Sequence, residues 1–153
     1  MPNCSQIMTH DPVFCLASDT VDRAAQLMRQ EDVGSLPVIE NHQNKKLLGI
    51  ITDRDIALKV VAEKRDARST HAQEVMTRNP VTCHADNDLQ VALDAMAGHQ
   101  VRRIPVVDDK NQIVGIISQS DVATRFSEPE RTADLVKEIS KSASKSLTAG
   151  RLL

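Results

Sequence analysis

Two hydroxyl and carboxylate pairs stand at matching places in the 153-residue chain: Thr52 with Asp55, and Ser118 with Asp121, each within a Gly-Ile-Ile-[Thr/Ser]-x-x-Asp run. A hydroxyl followed three residues later by an acid is first of all a helix start, in which the side-chain oxygen accepts a backbone N–H and the acid occupies the first turn. The same strand-to-helix turn presents free N–H groups and the positive end of a helix dipole, which suits a phosphate. Gly49 and Gly115, just upstream, remove side chains where a close ligand could pass. Each carboxylate offers two acceptors, an arrangement suited to a vicinal diol such as a ribose, and hydrogen bonds to charged groups contribute about 1.5–3 kcal/mol each. Helix capping and ligand recognition are both open to these residues, and one does not exclude the other.

The elements that must position these pairs are themselves duplicated. Met8-Thr9 and Pro12-Val13 return sixty-eight positions later as Met76-Thr77 and Pro80-Val81, and the phase persists through Ala24/Ala92, Met28/Met96, Val33/Val101, Pro37/Pro105 and Val38/Val106. Two residues are then lost from the second copy before Leu48-Gly49-Ile50-Ile51 aligns with Val114-Gly115-Ile116-Ile117. Such a repeat predicts two supersecondary units that share one core, because neither alone buries enough apolar surface.

Each copy reads as a short extended lead-in, a helix, a strand, a turn, a strand and a second helix. Val21, Ala24, Ala25 and Met28 recur at helical spacing with Asp19 or Thr20 placed to cap, and Leu89, Ala92, Leu93 and Met96 repeat that stripe behind Asp86 and Asp88. Residues 36–39 and 47–51, like 104–107 and 113–117, are short apolar runs joined by polar turns, as in a hairpin. Pro37 and Pro105 are expected at the heads of their strands, where a missing N–H is tolerated. A charged, small-residue stretch over 62–70 links the copies, so the expected division is 1–68, 69–128 and a tail at 129–153. In the tail Leu135, Ile139, Ala143 and Leu147 fall at successive i+4 steps beside Lys137, Lys141 and Lys145. That pattern predicts an amphipathic helix that packs on its own module or, alternatively, makes a dimer contact.

Composition removes several classes of function. A formal charge of −2 and a pI near 6.2 supply no general attraction to nucleic acid or to an anionic membrane. No apolar run approaches the ~18 residues of a membrane span, and residues 1–7 lack the pattern of a secretory signal, so a cytoplasmic protein is expected. Cys4, Cys15 and Cys83 form no CxxC and leave an odd thiol, which fits a reducing compartment. Cys15 and Cys83 are equivalent in the repeat and read as small apolar strand residues, or, more sharply, as a redox or metal pair if their sulfurs are close. The five histidines are scattered without metal-ligand spacing, and the chain has neither a G-x-x-x-x-G-K-[ST] loop nor a G-x-S-x-G elbow, so no metal, catalytic residue or catalytic cofactor is expected. With Phe14 and Phe126 as the only aromatic residues, a bound base is expected between aliphatic side chains.

The duplicated pattern of Met-Thr-x-x-Pro-Val, a helix, apolar-Pro-Val and Gly-Ile-Ile-[Thr/Ser]-x-x-Asp resembles the tandem cystathionine-β-synthase-type (CBS) domain pair, or Bateman module, from about Ile7 to Phe126. The resemblance implies a mixed α+β fold of two β-α-β-β-α repeats packed sheet to sheet about a pseudo-twofold, here followed by a C-terminal helix. It also implies a non-enzymatic regulatory role, homodimerisation, and clefts for an adenine nucleotide or another adenosine-containing ligand: AMP, ADP, ATP, NAD or S-adenosylmethionine. By the same resemblance Asp55 and Asp121 correspond to ribose-binding acids, and Thr52 and Ser118 to hydroxyls that meet phosphate or ribose. Val13 and Val81 correspond to positions whose backbone meets the adenine, and the segments bearing Val33 and Val101 line the ligand, together with Pro37, Pro105, Ile50 and Ile116. Arg102 and Arg103 in the second copy, and Arg54 in the first, are guanidinium groups suited to phosphate, with an exposed surface charge as the alternative for each. The second copy is expected to hold the more anionic ligand. The alternative is a dimeric adaptor or stress-response protein whose clefts are vestigial and whose surface binds an unidentified protein.

Overall fold

The structure, a computed structural model, describes residues 1–126 and 131–141. Two short helices, α1 (Cys4–Ile7) and α4 (Ala72–Val75), precede the two copies. The first copy then runs β1 (Thr9–His10), β2 (Cys15–Leu16), α2 (Val21–Glu31), β3 (Ser35–Ile39), β4 (Leu47–Thr52) and α3 (Asp53–Ile56), the last continuing into a π-helical turn over Ala57–Val61. The second runs β5 (Thr77–Arg78), β6 (Cys83–His84), α5 (Leu89–His99), β7 (Arg103–Val107), β8 (Ile113–Ser118) and α6 (Gln119–Arg125), and α7 covers 131–141. This is the mixed α+β fold that the repeat predicts.

The lead-in segments divide between sheets. One sheet has the order β1-β8-β7-β6 and the other β2-β3-β4-β5, so each copy's first strand joins the sheet of the opposite copy. Thr9 and His10 pair with Ile116 and Gly115, and Thr77 and Arg78 with Ile50 and Gly49. The described chain accordingly forms two compact units. One comprises Met1–His10, Val81–Val106 and the described residues from Val114 on; the other comprises Asp11–Pro80 with Val107–Ile113.

Each unit has buried apolar clusters of its own, and these combine residues of both copies. In the first, Leu89, Ala92, Leu93 and Met96 of α5 bury against Ile104, Val106 and Ile117. In the second, Val21, Ala24 and Met28 of α2 bury against Leu36, Val38 and Ile51, and a smaller cluster joins Ile39, Leu47, Val107 and Ile113. Thr20 caps α2 by accepting from Arg23 N, and Asp88 caps α5 by accepting from Gln90 N. Both helices end on a left-handed residue, Asp32 and Gln100.

The hairpin expectation holds for β3 and β4, which pair antiparallel from Ser35↔Thr52 to Pro37↔Ile50 and on through Val38↔Gly49. Pro37, however, is the third residue of a five-residue inner strand and not its head. Asp53 N donates to Gly34 O, which makes that pair hydrogen-bonded and, by alternation, leaves Pro37↔Ile50 a non-bonded pair. The proline nitrogen then faces β2, which pairs only with Val38 and Ile39, so no ladder donor is lost. On α7, Leu135 and Ile139 are buried in the cluster of Ile7, Leu89 and Phe126, while Lys137 and Lys141 are exposed. Ala143, Leu147 and Lys145 lie outside the described residues.

Candidate functional site

At each strand-to-helix junction the chain folds into a reciprocal cap. Thr52 Oγ1 accepts from Asp55 N at 3.0 Å, and Asp55 Oδ2 accepts from Thr52 N at 3.0 Å. Ser118 Oγ accepts from Asp121 N at 3.1 Å, and Asp121 Oδ2 accepts from Ser118 N at 2.9 Å. One carboxylate oxygen of each pair is therefore committed to its own backbone, and both acids are largely buried, with 13% and 14% of the side chain exposed. The second oxygen faces a cation one turn on: Asp55 Oδ1 is 3.1 Å from Lys59 Nζ, and Asp121 Oδ1 is 3.9 Å from an Arg125 nitrogen. Lys59 also donates to Val75 O, and Arg125 to Ile7 O and Met8 O, so each cation joins the acid to the lead-in segment of its unit. Lys59 and Arg125 belong to no motif, and their i+4 spacing from the acids is the one signal in the sequence that marks them.

Strand alternation places Ile50 with Thr52, and Ile116 with Ser118, on the half-buried face of β4 and β8. Gly49 and Gly115 belong to the opposite, buried face, and the structure corrects their expected role. A Cβ on Gly49 would lie 2.5 Å from Thr77 O and 2.7 Å from Met76 Sδ, and one on Gly115 would press on Met8 Sδ and reach Thr9 O at 3.0 Å. These glycines admit the crossing lead-in segment, not a ligand, because β5 and β1 pair directly alongside them.

The surroundings of the two caps differ. At the first junction Ser35 pairs with Thr52, and Gly34 lies against the Asp53 carboxylate, where an added Cβ would be 3.0 Å from Oδ2. Arg54 is exposed. At the second junction Gln119 replaces Asp53 and its N–H donates to Arg102 O at 2.8 Å; Arg102 is exposed, Arg103 is half-buried at the start of β7, and Ser120 Oγ lies 2.9 Å from Ser118 Oγ. Asp53 and Ser120 occupy positions that the repeated motif leaves unspecified.

The remaining lining candidates scatter more widely. Pro37 and Pro105 are buried within β3 and β7, Val33 is exposed, and Val81 and Val101 pack against the cluster around Leu89. Val13 lines a cleft of about 430 Å³ with Pro12, Phe14, Arg23, Leu27 and His42. Neither Thr52, Arg54 nor Asp55 lines that cleft. Phe14 faces His42 at a ring separation of 5.9 Å with Lys45 over its ring, a feature that the scarcity of aromatics had not pointed to. Among the described residues no group of three or more His, Cys, Asp or Glu side chains is placed to hold a metal ion, and no helix is long and apolar enough to cross a membrane.

The duplicated caps, the exchanged lead-in strands and the twin four-stranded sheets define the class, and comparison with known proteins gives it a name. The CBS domain matches residues 4–62 and 72–128, and the chain belongs to the CBS domain family. It is 36% identical over 140 residues to the CBS domain-containing protein YhcV of Bacillus subtilis (strain 168), covering 92% of this chain and 96% of that one. Its fold is similar to that of the CBS domain pair of protein MJ0100, solved with 5′-methylthioadenosine and S-adenosyl-L-methionine (TM-score 0.70, 30% identity, 80% of this chain and 97% of that one). It is also similar to CBSX2 solved in complex with AMP (TM-score 0.67, 25% identity, 79% of this chain and 93% of that one).

Proposed function

We propose that the chain is a non-catalytic regulatory CBS pair that binds an adenosine-containing ligand, with Asp55 and Asp121 meeting the ribose and Thr52 and Ser118 the ribose or phosphate. The observation that carries this reading is the duplicated cap. Each acid is held in a fixed orientation by its backbone bond, so its second oxygen is presented without the entropy cost of ordering a free side chain. A ligand hydroxyl would compete there with Lys59 or Arg125, and the 3.9 Å separation at Asp121 is the weaker competitor. The binding of AMP and of S-adenosylmethionine by similar CBS pairs supports adenosine as the common element.

Base contacts fall to Val13, Val81, Val33, Val101, Pro37, Pro105, Ile50 and Ile116, and phosphate contacts to Arg102, Arg103 and Arg54. A micromolar site needs about −8 kcal/mol, within reach of charged ribose contacts, several phosphate contacts and a buried base. The protein works as a cytoplasmic homodimer, and ligand shifts its conformational or oligomeric equilibrium by its differential affinity for the two states. Isothermal titration with AMP, ATP, NAD and S-adenosylmethionine tests the reading: heat at micromolar ligand supports it, and silence at millimolar ligand with folded protein sinks it. That silent outcome would favour the adaptor reading, which draws on the fact that both acids already have partners within their own units.

A further inference from the structure

Cys4 and Cys83 stand 79 positions apart in the sequence, yet their sulfurs lie 3.8 Å apart and both side chains are buried, at 0% and 2% exposure. Cys4 opens α1 and Cys83 opens β6, two elements of one compact unit. Two thiols in van der Waals contact are a short movement from a disulfide, whose bond is about 2.05 Å long. We propose that Cys4 and Cys83 form a redox modification site, which a peroxide closes into a disulfide that fastens α1 to β6.

The local chemistry assigns the roles. Cys83 donates its S–H to Cys4 Sγ, and carbonyls of Asp88 and Pro105 lie 3.9 Å and 4.0 Å from Cys4 and Cys83 respectively. That donated bond holds the Cys4 thiol below the usual range, against burial and the Asp88 and Asp86 carboxylates, which push it up. Cys83, the donor, is raised by the same bond and by burial. Cys4, whose sulfur accepts the Cys83 S–H and which opens α1, is assigned the attack. It attacks one peroxide oxygen, the O–O bond breaks, the leaving hydroxide takes up the thiol proton as water, and Cys4 becomes a sulfenic acid. Cys83 sulfur then attacks Cys4 sulfur, the S–O bond breaks, and the departing hydroxide leaves as water with the Cys83 proton. Two thiols thus give two electrons and two protons to one peroxide, yielding one disulfide and two waters.

Cys15 provides an internal control. It is buried on β2, its thiol is pushed up to about 12 by burial and by Asp19, and Ala72 occupies the repeat position that matches Cys4. The test treats the intact folded protein with graded hydrogen peroxide, blocks the remaining thiols with N-ethylmaleimide after denaturation, and maps the peptides by mass spectrometry. Of the three free cysteines one should remain blockable, with two hydrogens lost and a crosslinked peptide joining Cys4 to Cys83. Closing so long a loop should raise Tm by about 5–10 °C, reversed by dithiothreitol. In Cys83→Ser, Cys4 should be trapped by dimedone as a sulfenic acid; an unmodified Cys4 there would refute its role as attacker. Three blockable thiols at doses that already oxidise the exposed Met1, or a crosslink that includes Cys15, would overturn the site. A Cys4–Cys83 crosslink that leaves Tm unchanged would overturn its fastening role.

Discussion

Beside Thr52 and Asp55 the chain places Gly34 and the carboxylate of Asp53; beside Ser118 and Asp121 it places Arg102 and Gln119. The backbone geometry is the same at both junctions, down to the reciprocal cap and the cation one turn on. What differs is the charge at positions that take no part in capping. The lesson is that the cap fixes where an acid points, whereas its neighbours decide how much negative charge can approach it. An anionic ligand meets the Asp53 carboxylate beside Arg54 at the first junction, but Arg102 and Arg103 beside the neutral Gln119 and Ser120 at the second, and this is the physical content of assigning the more anionic ligand to the second copy.

The sharpest break in that likeness is steric. A side chain on Gly49 meets a backbone carbonyl, Thr77 O, whereas one on Gly115 first meets the movable thioether end of Met8. Gly49→Val should therefore cost about 3 kcal/mol or more and displace β5, while Gly115→Val should cost roughly half as much, both read from urea denaturation midpoints. Equal costs would show that Met8 cannot move aside. Next in size is the loss of the acids. Asp121→Ala should weaken adenosine-ligand binding by more than tenfold, and Asp55→Ala should do so at its own site. Each also removes half of a capping box, about 0.5–2 kcal/mol of stability. Asp121→Asn keeps a carbonyl acceptor for Ser118 N, so it should restore much of the stability but little of the binding by titration calorimetry. If Asn restores both equally, the carboxylate serves the helix alone.

The sequence disclosed those features that repeat at a regular period or sit beside a cap. The stripes of Val21, Ala24 and Met28 and of Leu89, Ala92 and Met96 announce helices because burial recurs at helical spacing, and Leu135 with Ile139 announces α7 in the same way. The exchange of lead-in strands was hidden, since two-residue strands such as Thr9–His10 are too short to show alternation and both of their residues are exposed. The purpose of Gly49 and Gly115 was hidden with it. Cys83 was weighed against Cys15, its equal in the repeat, but the sulfur it touches is that of Cys4, brought near by the same crossing. Asp53 went unnoticed because its effect depends on Gly34, which lies across the hairpin and not beside it in sequence.

The charge contrast makes a smaller and more selective prediction. Arg102→Ala should weaken ATP binding about three- to tenfold and adenosine binding hardly at all, with the difference shrinking as salt is raised. Asp53→Gln should improve ATP binding at the first junction by a few-fold, since it removes one exposed like charge and leaves the Asp53 N to Gly34 O bond in place. Equal losses of ATP and adenosine in Arg102→Ala would mean that the guanidinium orders the loop without reading phosphate.

The smallest expected effect on stability comes from making the two units more alike. Ala72 is fully buried with Cys15 in one cluster, as Cys4 is with Cys83 in the other, and the backbones correspond: Cys4 N donates to Asn87 O at 2.9 Å and Ala72 N to Asp19 O at 2.8 Å. Ala72→Cys should thus set a second sulfur against Cys15 at a cost of about 1 kcal/mol or less by urea denaturation. Ser18 and Thr20 stand where Asp86 and Asp88 raise the Cys4 thiol, so the introduced thiol escapes two of the influences that resist its ionisation. With Asp19 still raising Cys15, the second pair should close at a peroxide dose similar to that of the first, leaving no blockable thiol in the oxidised variant. If Cys15 remains free while Cys4 and Cys83 are joined, proximity alone does not make the pair reactive, and the donated Cys83 S–H becomes the deciding feature of the native site.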